Sequence, residues 1–289
     1  KYKFISGDFK MAAPNPISSI AIEQFNSNVT TLYHSAGHLA GTTQEVHGIV
    51  GDAYNWPVEG HVDMSLRGSY GSIIPQSQFD HYFVTQTFED YALLLALDRG
   101  EQTLTNVNER MQFAKKHTNS MGRRLDQWKI DAMINSGTTN LVVVGTTNLT
   151  EDKTLEAQYL LNAANCPMEN RYLGIHASQL KSMLKQTKVT SIDYVNIKGL
   201  IEGTITRYNG FNVKIFGDST VGGLPKTGDN RTVIAWQQDA VGCGMKEDGT
   251  VGVSWSEERR SWISVGSMIG NAKAILPAGI VLITCDETK

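Results

Sequence analysis

Hydrophobic and polar positions along this chain change period several times, and each change marks an expected element. Residues 1–20 mix Gly7, Pro14, Pro16 and serines with scattered apolar residues, as an extended arm does. Over 19–39, Ile22, Phe25, Val29, Leu32 and Tyr33 recur at helical spacing and predict a short amphipathic helix. From 42 to 58 the period becomes two. Val46, Val50, Tyr54, Trp56 and Val58 share one parity, the mark of a half-buried strand. Gly60, Gly68, Gly71 and Pro75 then punctuate a long loop tip at 59–77, and Tyr82, Val84 and Phe88 resume the alternation. Two strand-like arms around such a tip predict a β-hairpin that protrudes from the body.

The longest periodic signal comes next. Leu104, Val107, Met111, Ala114, Thr118, Met121, Leu125, Trp128 and Ala132 stand alternately three and four residues apart, one helix face held over four heptads. Asn106 with Glu109 offers a capping box and Gly137 a stop. The expected helix covers 106–136 and is about 45 Å long at 1.5 Å per residue. Arg110, Lys115, Lys116, Arg123, Arg124 and Lys129 take its other faces. Such a stripe suits a coiled-coil seam or a helix laid along a sheet, and the β-like flanks favour the sheet. Beyond it the pattern predicts strands at 141–144, 172–175, 200–208 and 211–216, helices at 155–164 and 179–185, and a glycine-rich loop at 218–230. The last third reads as strands at 251–255, 262–265 and 274–284. Mixed elements without regular βαβ alternation make the fold class α+β.

Composition sharpens this picture. With 40% hydrophobic and 19% charged side chains, the 289-residue chain composes a folded protein. The charged share lies below the ~25% usual for globular domains. Much of the surface is therefore neutral and suited to burial against other chains. Lys and Arg number 26 against 29 Asp and Glu, a net charge of −3 without the basic excess of a dedicated nucleic-acid binder. Cys166, Cys243 and Cys285 are odd in number and far apart, so neither a zinc ribbon nor a disulfide framework is indicated and a reducing compartment is expected. The apolar runs near the N-terminus are too short for a signal peptide or a membrane span. On that expectation the Asn-x-Thr triplets at Asn28, Asn148 and Asn230 stay unglycosylated. Lys1 is read as a sign of processing, trimming or extension, with Met11 a candidate ancestral start.

Candidate chemistry is sparse. Ser178 with Lys181, and Ser182 with Lys185, match S-x-x-K, while Lys226, Thr227 and Gly228 match K-T-G. In penicillin-recognising enzymes these elements place a lysine beside a serine nucleophile. Here the S-D-N element is missing, K-T-G falls in a loop, and the separation is too short for the intervening helical domain. His34 and His38 stand four apart, but Ser35 occupies the position where a zinc protease has its Glu, and no third ligand can be named. No phosphate-binding glycine motif is present. The run from Glu257 through Glu258 and Arg259 to Arg260 reads as a solvated turn, and the scattered Trp and Tyr residues as packing anchors. No catalytic, cofactor-binding or metal-ligating residue is expected, and no cofactor.

Five phrases carry a resemblance. IEQFNSNVTTLYH at 22–34 resembles an N-terminal helix, and NERMQFAKKHTNSMGRRLDQWKIDAMI at 108–134 a spine helix, of one family. NRYLGIHASQLKSML at 170–184 resembles the strand and helix that open its axial domain. LIEGTITRYNGFNV at 200–213 resembles the segment that follows, and TVIAWQQDAVGCGM at 232–245 a later helix. In this order, over nearly the whole chain, they resemble the major capsid proteins of tailed bacteriophages, with the Hong Kong 97-type fold. The resemblance implies an N-arm at 1–40, an extended loop at 41–90, and an axial domain at 140–243. It implies a peripheral domain at 91–139 and 244–289, built on a spine helix at 106–136. It implies a structural coat protein, not an enzyme, that assembles as hexamers and pentamers into an icosahedral shell around double-stranded DNA. Virion capsid is the implied location, with assembly in the bacterial cytoplasm. Portal, scaffolding and decoration proteins are the implied partners, with weak, non-specific DNA contact and no membrane. In the type member, a lysine on the extended loop joins a neighbour's asparagine in an isopeptide bond. Residues 11–114 here contain no lysine, and the loop's one Lys or Arg is Arg67. Its guanidinium stays protonated and is a poor nucleophile, so a shell without these cross-links is expected. The alternatives are an encapsulin-like cargo shell of the same fold and a serine hydrolase of the penicillin-recognising type.

Overall fold

The computed structural model describes residues 37–66, 68, 70, 71, 73, 76–98, 109–143, 147–185 and 205–288. Strands β1 (Gln44–Val46), β2 (Ala53–Glu59), β3 (His81–Thr87) and β4 (Glu89–Asp98) come first, followed by helix α1 (Glu109–Ile134). The middle of the chain supplies β5 (Leu141–Val142), α2 (Glu151–Ala163), β6 (Arg171–His176) and α3 (Ala177–Leu184). Then follow β7 (Arg207–Tyr208), β8 (Phe211–Phe216), β9 (Lys226–Thr227) and β10 (Asn230–Gln237). The chain closes with β11 (Val241–Ser256), β12 (Ser261–Ala274) and β13 (Ile280–Asp286). One sheet runs β1-β11-β12-β4, a second runs β5-β13-β10-β6-β8-β7 with β9 beside β10, and β2 pairs with β3 alone. The mixture of sheets and helices is α+β, as the pattern predicts.

Strand β10 is central to the larger sheet because Val233, Ile234, Ala235 and Trp236 have both faces to fill. Its two faces feed different cores. Val233 and Ala235 join Leu161, Leu173, Phe211 and Ile283 under α2 and α3. Ile234 and Trp236 join Ile130 and Met133 of α1. The resemblance led to a helix over 232–245. Those residues instead form β10, a single 3-10 turn (Gln238–Ala240) and the start of β11. The β-branched and aromatic run favours a strand, and Gly242 and Gly244 disfavour a helix interior.

Helix α1 lies across the four-stranded sheet and packs Met121, Leu125, Trp128 and Ala132 against Cys243, Met245, Met268 and Ala272. Glycines on β12 let it come close. A methyl group at Gly270 would stand 3.0 Å from the Trp128 ring, and one at Gly266 would stand 2.5 Å from His117 Nδ1. The expected stripe therefore holds from Met121 to Ala132, but Ala114 and Thr118 are exposed. Its start (Leu104, Val107, the Met111 side chain) and the capping Asn106 lie outside the described residues, as does most of the expected 19–39 helix. Residues 37–39 of that segment are not helical.

The opposite face of α1 is a correction. Lys129 does not take a solvent face; it is fully buried, together with Asp126. Lys129 Nζ donates to the Leu39 carbonyl at 2.8 Å and to Glu45 Oε1 at 2.5 Å. Asp126 accepts from the backbone N–H of His38 at 2.6 Å and of Leu39 at 3.0 Å. Burial raises the Asp126 carboxyl pKa, against the pull of those two N–H groups. The second sheet packs on Ile130 and Met133 of α1, so the C-terminal half of the helix lies between the two sheets.

The expected strand over 42–58 is two strands, because Gly48 and Gly51 take left-handed φ of 71° and 120°. This interruption buries Ile49 and leaves Val50 exposed. The β2–β3 hairpin is pinned along its inner side. Trp56 lies over Gly242, where a methyl would come within 2.5 Å of the indole. Its Nε1–H donates to Gln86 Oε1 at 2.7 Å, and Gln86 Nε2 donates to the Asn271 carbonyl at 2.7 Å. Strand β4 and the full lengths of β11 and β12 exceed the expected strands.

Three outcomes follow from this packing. Trp128→Ala should lower unfolding stability by about 3–5 kcal/mol, whereas Lys115→Ala should stay within about 0.5 kcal/mol; denaturant melts measure both. Gly242→Ala should cost about 1–3 kcal/mol through overpacking on Trp56 and increase proteolysis at the hairpin. The third concerns His117, fully buried, with Nε2 2.9 Å from Ser264 Oγ and Nδ1 without a partner. Burial lowers its pKa. The neutral ring is thus favoured in the folded state, so stability is complete above about pH 6.5 and falls as pH drops toward the lowered value. Melts at pH 7.5 and 5.5 should differ less for His117→Gln than for the parent protein.

Candidate functional site

The segments named by sequence motifs hold no reaction centre. Ser178 Oγ accepts from Asn148 Nδ2 at 3.3 Å, and Ser182 Oγ donates to the Leu149 carbonyl at 3.1 Å. Lys181 and Lys185 are exposed. Lys226 of K-T-G lies in the short β9 edge strand, not a plain loop, and bridges to Glu287 at 2.7 Å. Glu287 also takes Arg231 at 2.5 Å and meets His176 at 3.2 Å. Burial would raise the Glu287 carboxyl, but Lys226 and Arg231 bring it down to about 2. Burial and Arg231 push the His176 pKa down. This network ties the end of the chain to β6, β9 and β10. No sequence motif marked it, since its members are scattered from 176 to 287.

His34 lies outside the described residues. His38 has its backbone on Asp126 and its ring edge-on to Phe216 at 5.6 Å. Among the described residues no three His, Cys, Asp or Glu side chains are grouped to hold a metal. The three cysteines are free, and burial pushes Cys243 up to about 11 and Cys285 up to about 12, so both are thiols at neutral pH. No described helix is long and apolar enough to cross a membrane.

What the structure does build is contact surface. Met64, Leu66, Tyr70 and Ile73 at the hairpin tip are each more than nine-tenths exposed. Phe79, Tyr82 and Phe83 are also exposed. The shaft's inner side is used by Trp56 and Val58 against Ile275, so these tip residues are left over. The four-stranded sheet presents a second such surface on the face turned away from α1. There Leu94, Val265 and Gly252 stand side by side, flanked by Ala92, Ser267 and Thr250 and by Ala96, Ile263 and Ser254. Cross-strand partners share a face, and this one carries no charge over those three rows. Leu94 is 51% exposed and Val265 38%. Exposed apolar surface of this kind is suited to contact with other chains.

Comparisons with known proteins agree with this architecture. The family model described as phage capsid protein matches residues 17–287. The Mycobacterium phage Che8 structure superposes with a TM-score of 0.73 at 16% identity, covering 92% of this chain and 97% of that one. The capsid structure of cyanophage P-SCSP1u gives 0.72 at 15% identity, covering 94% of each. The capsid of a native GTA particle gives 0.72 at 11% identity, covering 91% and 95%. A search of the curated proteins finds no match. The family match runs over nearly the whole chain and fits the exposed apolar hairpin: this chain belongs to the phage capsid protein family and is a structural major capsid protein of the Hong Kong 97-type fold, not an enzyme.

Proposed function

We propose that copies of this chain assemble, as hexamers and pentamers, into the icosahedral shell that encloses double-stranded phage DNA. The observation that carries this reading is the apolar hairpin tip, which has no partner among the described residues of its own chain. Trp56 and Val58 seat the paired strands on Ile275, so the part free to lie over a neighbour is the tip past the last strand pair, Glu59 with His81. On this reading residues 1–40 are the arm, 41–90 the extended loop, 91–139 with 244–289 the peripheral domain, and 140–243 the axial domain. Assembly takes place in the bacterial cytoplasm with portal and scaffolding proteins. A net charge of −3 limits the grip on packaged DNA, whose binding to proteins rests on neutralised phosphates.

Sedimentation and negative-stain imaging of native particles should show closed shells containing DNA; a functional lone monomer would overturn the reading. With no lysine between residues 11 and 114, the hairpin has no amine for an isopeptide bond. Boiled, reduced particles should therefore run as a single monomer band on a denaturing gel. A ladder of pentamers and hexamers would contradict that.

A further inference from the structure

His176 stands where the end of β6, the start of α3 and the segment after β13 meet. It is the N-cap of α3. Its Nδ1 accepts from the Ser178 backbone N–H at 3.3 Å, and its own backbone N–H donates to Gln179 Oε1 at 3.2 Å. The same Nδ1 lies 3.2 Å from Glu287 Oε1. A ring nitrogen carries either a lone pair or a hydrogen. With the lone pair it caps Ser178 and has nothing to give the carboxylate. With the hydrogen it donates to Glu287 and turns a proton toward the Ser178 N–H. One atom cannot serve both partners at once.

The charges around the ring select between these two roles. Glu287 follows β13, Arg231 lies on β10, Lys226 on β9 and Asp218 beyond β8, while α3 brings no carboxylate to its first turn. Arg231 Nε at 2.5 Å and Lys226 Nζ at 2.7 Å already satisfy the two Glu287 oxygens, and Asp218 takes another Arg231 nitrogen at 3.0 Å. At neutral pH the carboxylate therefore does not need the ring, and Nδ1 is left to cap. Burial and Arg231 hold His176 below its ordinary pKa, so it gains its proton only below about pH 6.5. Glu287, brought down to about 2, stays ionised throughout that range. An imidazolium cannot accept from an N–H, and its charge opposes the positive end of the helix. Its Nδ1–H finds a charge-assisted partner in Glu287 at the distance already present.

We propose that His176 is a proton-operated switch between two elements: neutral, it caps α3; protonated, it releases Ser178 and holds Glu287 instead. Acid then loosens the first turn of α3 and tightens the segment after β13. The switch lies within one chain and does not rest on the shell reading.

Peptide-resolved hydrogen exchange of the purified protein at pH 7.5 and pH 4.5, corrected for the pH dependence of the intrinsic rate, tests it. First-turn amides of α3 should lose protection about fivefold at pH 4.5, the size of a lost cap. The amides of Asp286 and Glu287, bonded to the Thr147 and Asp229 carbonyls, should gain protection. A general loosening in acid would lower both segments together. In His176→Asn, whose side-chain oxygen caps without titrating, first-turn protection should be equal at the two pH values. Unchanged protection in the parent protein, a fall in both segments, or the same fivefold fall in His176→Asn would each overturn the proposal.

Discussion

Two buried polar side chains three residues apart on α1 determine how the rest of the molecule is arranged. Asp126 takes the N–H groups of His38 and Leu39, and Lys129 takes the Leu39 carbonyl and Glu45. Each partner would be costly alone in a buried site, because an unpaired charge there loses its hydration without compensation. Together they fix the chain where it crosses the helix and passes into β1. From β1, paired in parallel with β11, the chain continues to the hairpin, so the hairpin's starting point is set by the helix. Trp236 adds a third hold on the same stretch, donating its Nε1–H to the Thr42 carbonyl at 3.0 Å.

Cations are used the same way elsewhere. Lys153 is buried with its ammonium on the carbonyls of Thr147 and Thr284, each at 2.7 Å. Arg171 donates to the carbonyls of Pro167 and Cys166 and to Asn162. Arg231 spans Leu224, Asp218 and Glu287. In a chain with few charges to begin with, placing these inside leaves still fewer for the surface. The neutral outer face of the four-stranded sheet is consistent with that distribution. Neutral, close-fitting surface is what stable contact between chains requires at its centre.

Much of the architecture was legible where a single period ran undisturbed. The α1 stripe, the hairpin arms around Trp56 and Val84, and the strand before α3 each had one environment per face. The losses have physical causes. Strand β4 was missed because the run from Tyr91 to Leu97 is apolar at every position, without the alternation of a sheet with one wet face. The start of β11 was hidden because the resemblance placed a helix over 232–245, and Gly242, Gly244 and Gly270 carry no side chain to mark a strand face. Their lack of a side chain instead makes room for Trp56, Gln86 and Trp128. Lys129 was assigned to solvent because its type suggests it; nothing local announces the Leu39 carbonyl ninety residues away. The surfaces themselves could be anticipated only in composition, as a low charged fraction, because which residues share an exposed patch depends on register.

The pinned shaft of the hairpin has a mechanical meaning. Trp56 and Val58 hold the paired strands against Ile275, so the pivot lies beyond them, where the pairing ends at Glu59 and His81. A swing at that point moves the apolar tip, while the packed strands and the sheet beneath need not change. One rigid body with such a pivot can meet partners at several angles, and a closed surface made of one kind of subunit must bend more sharply in some places than in others.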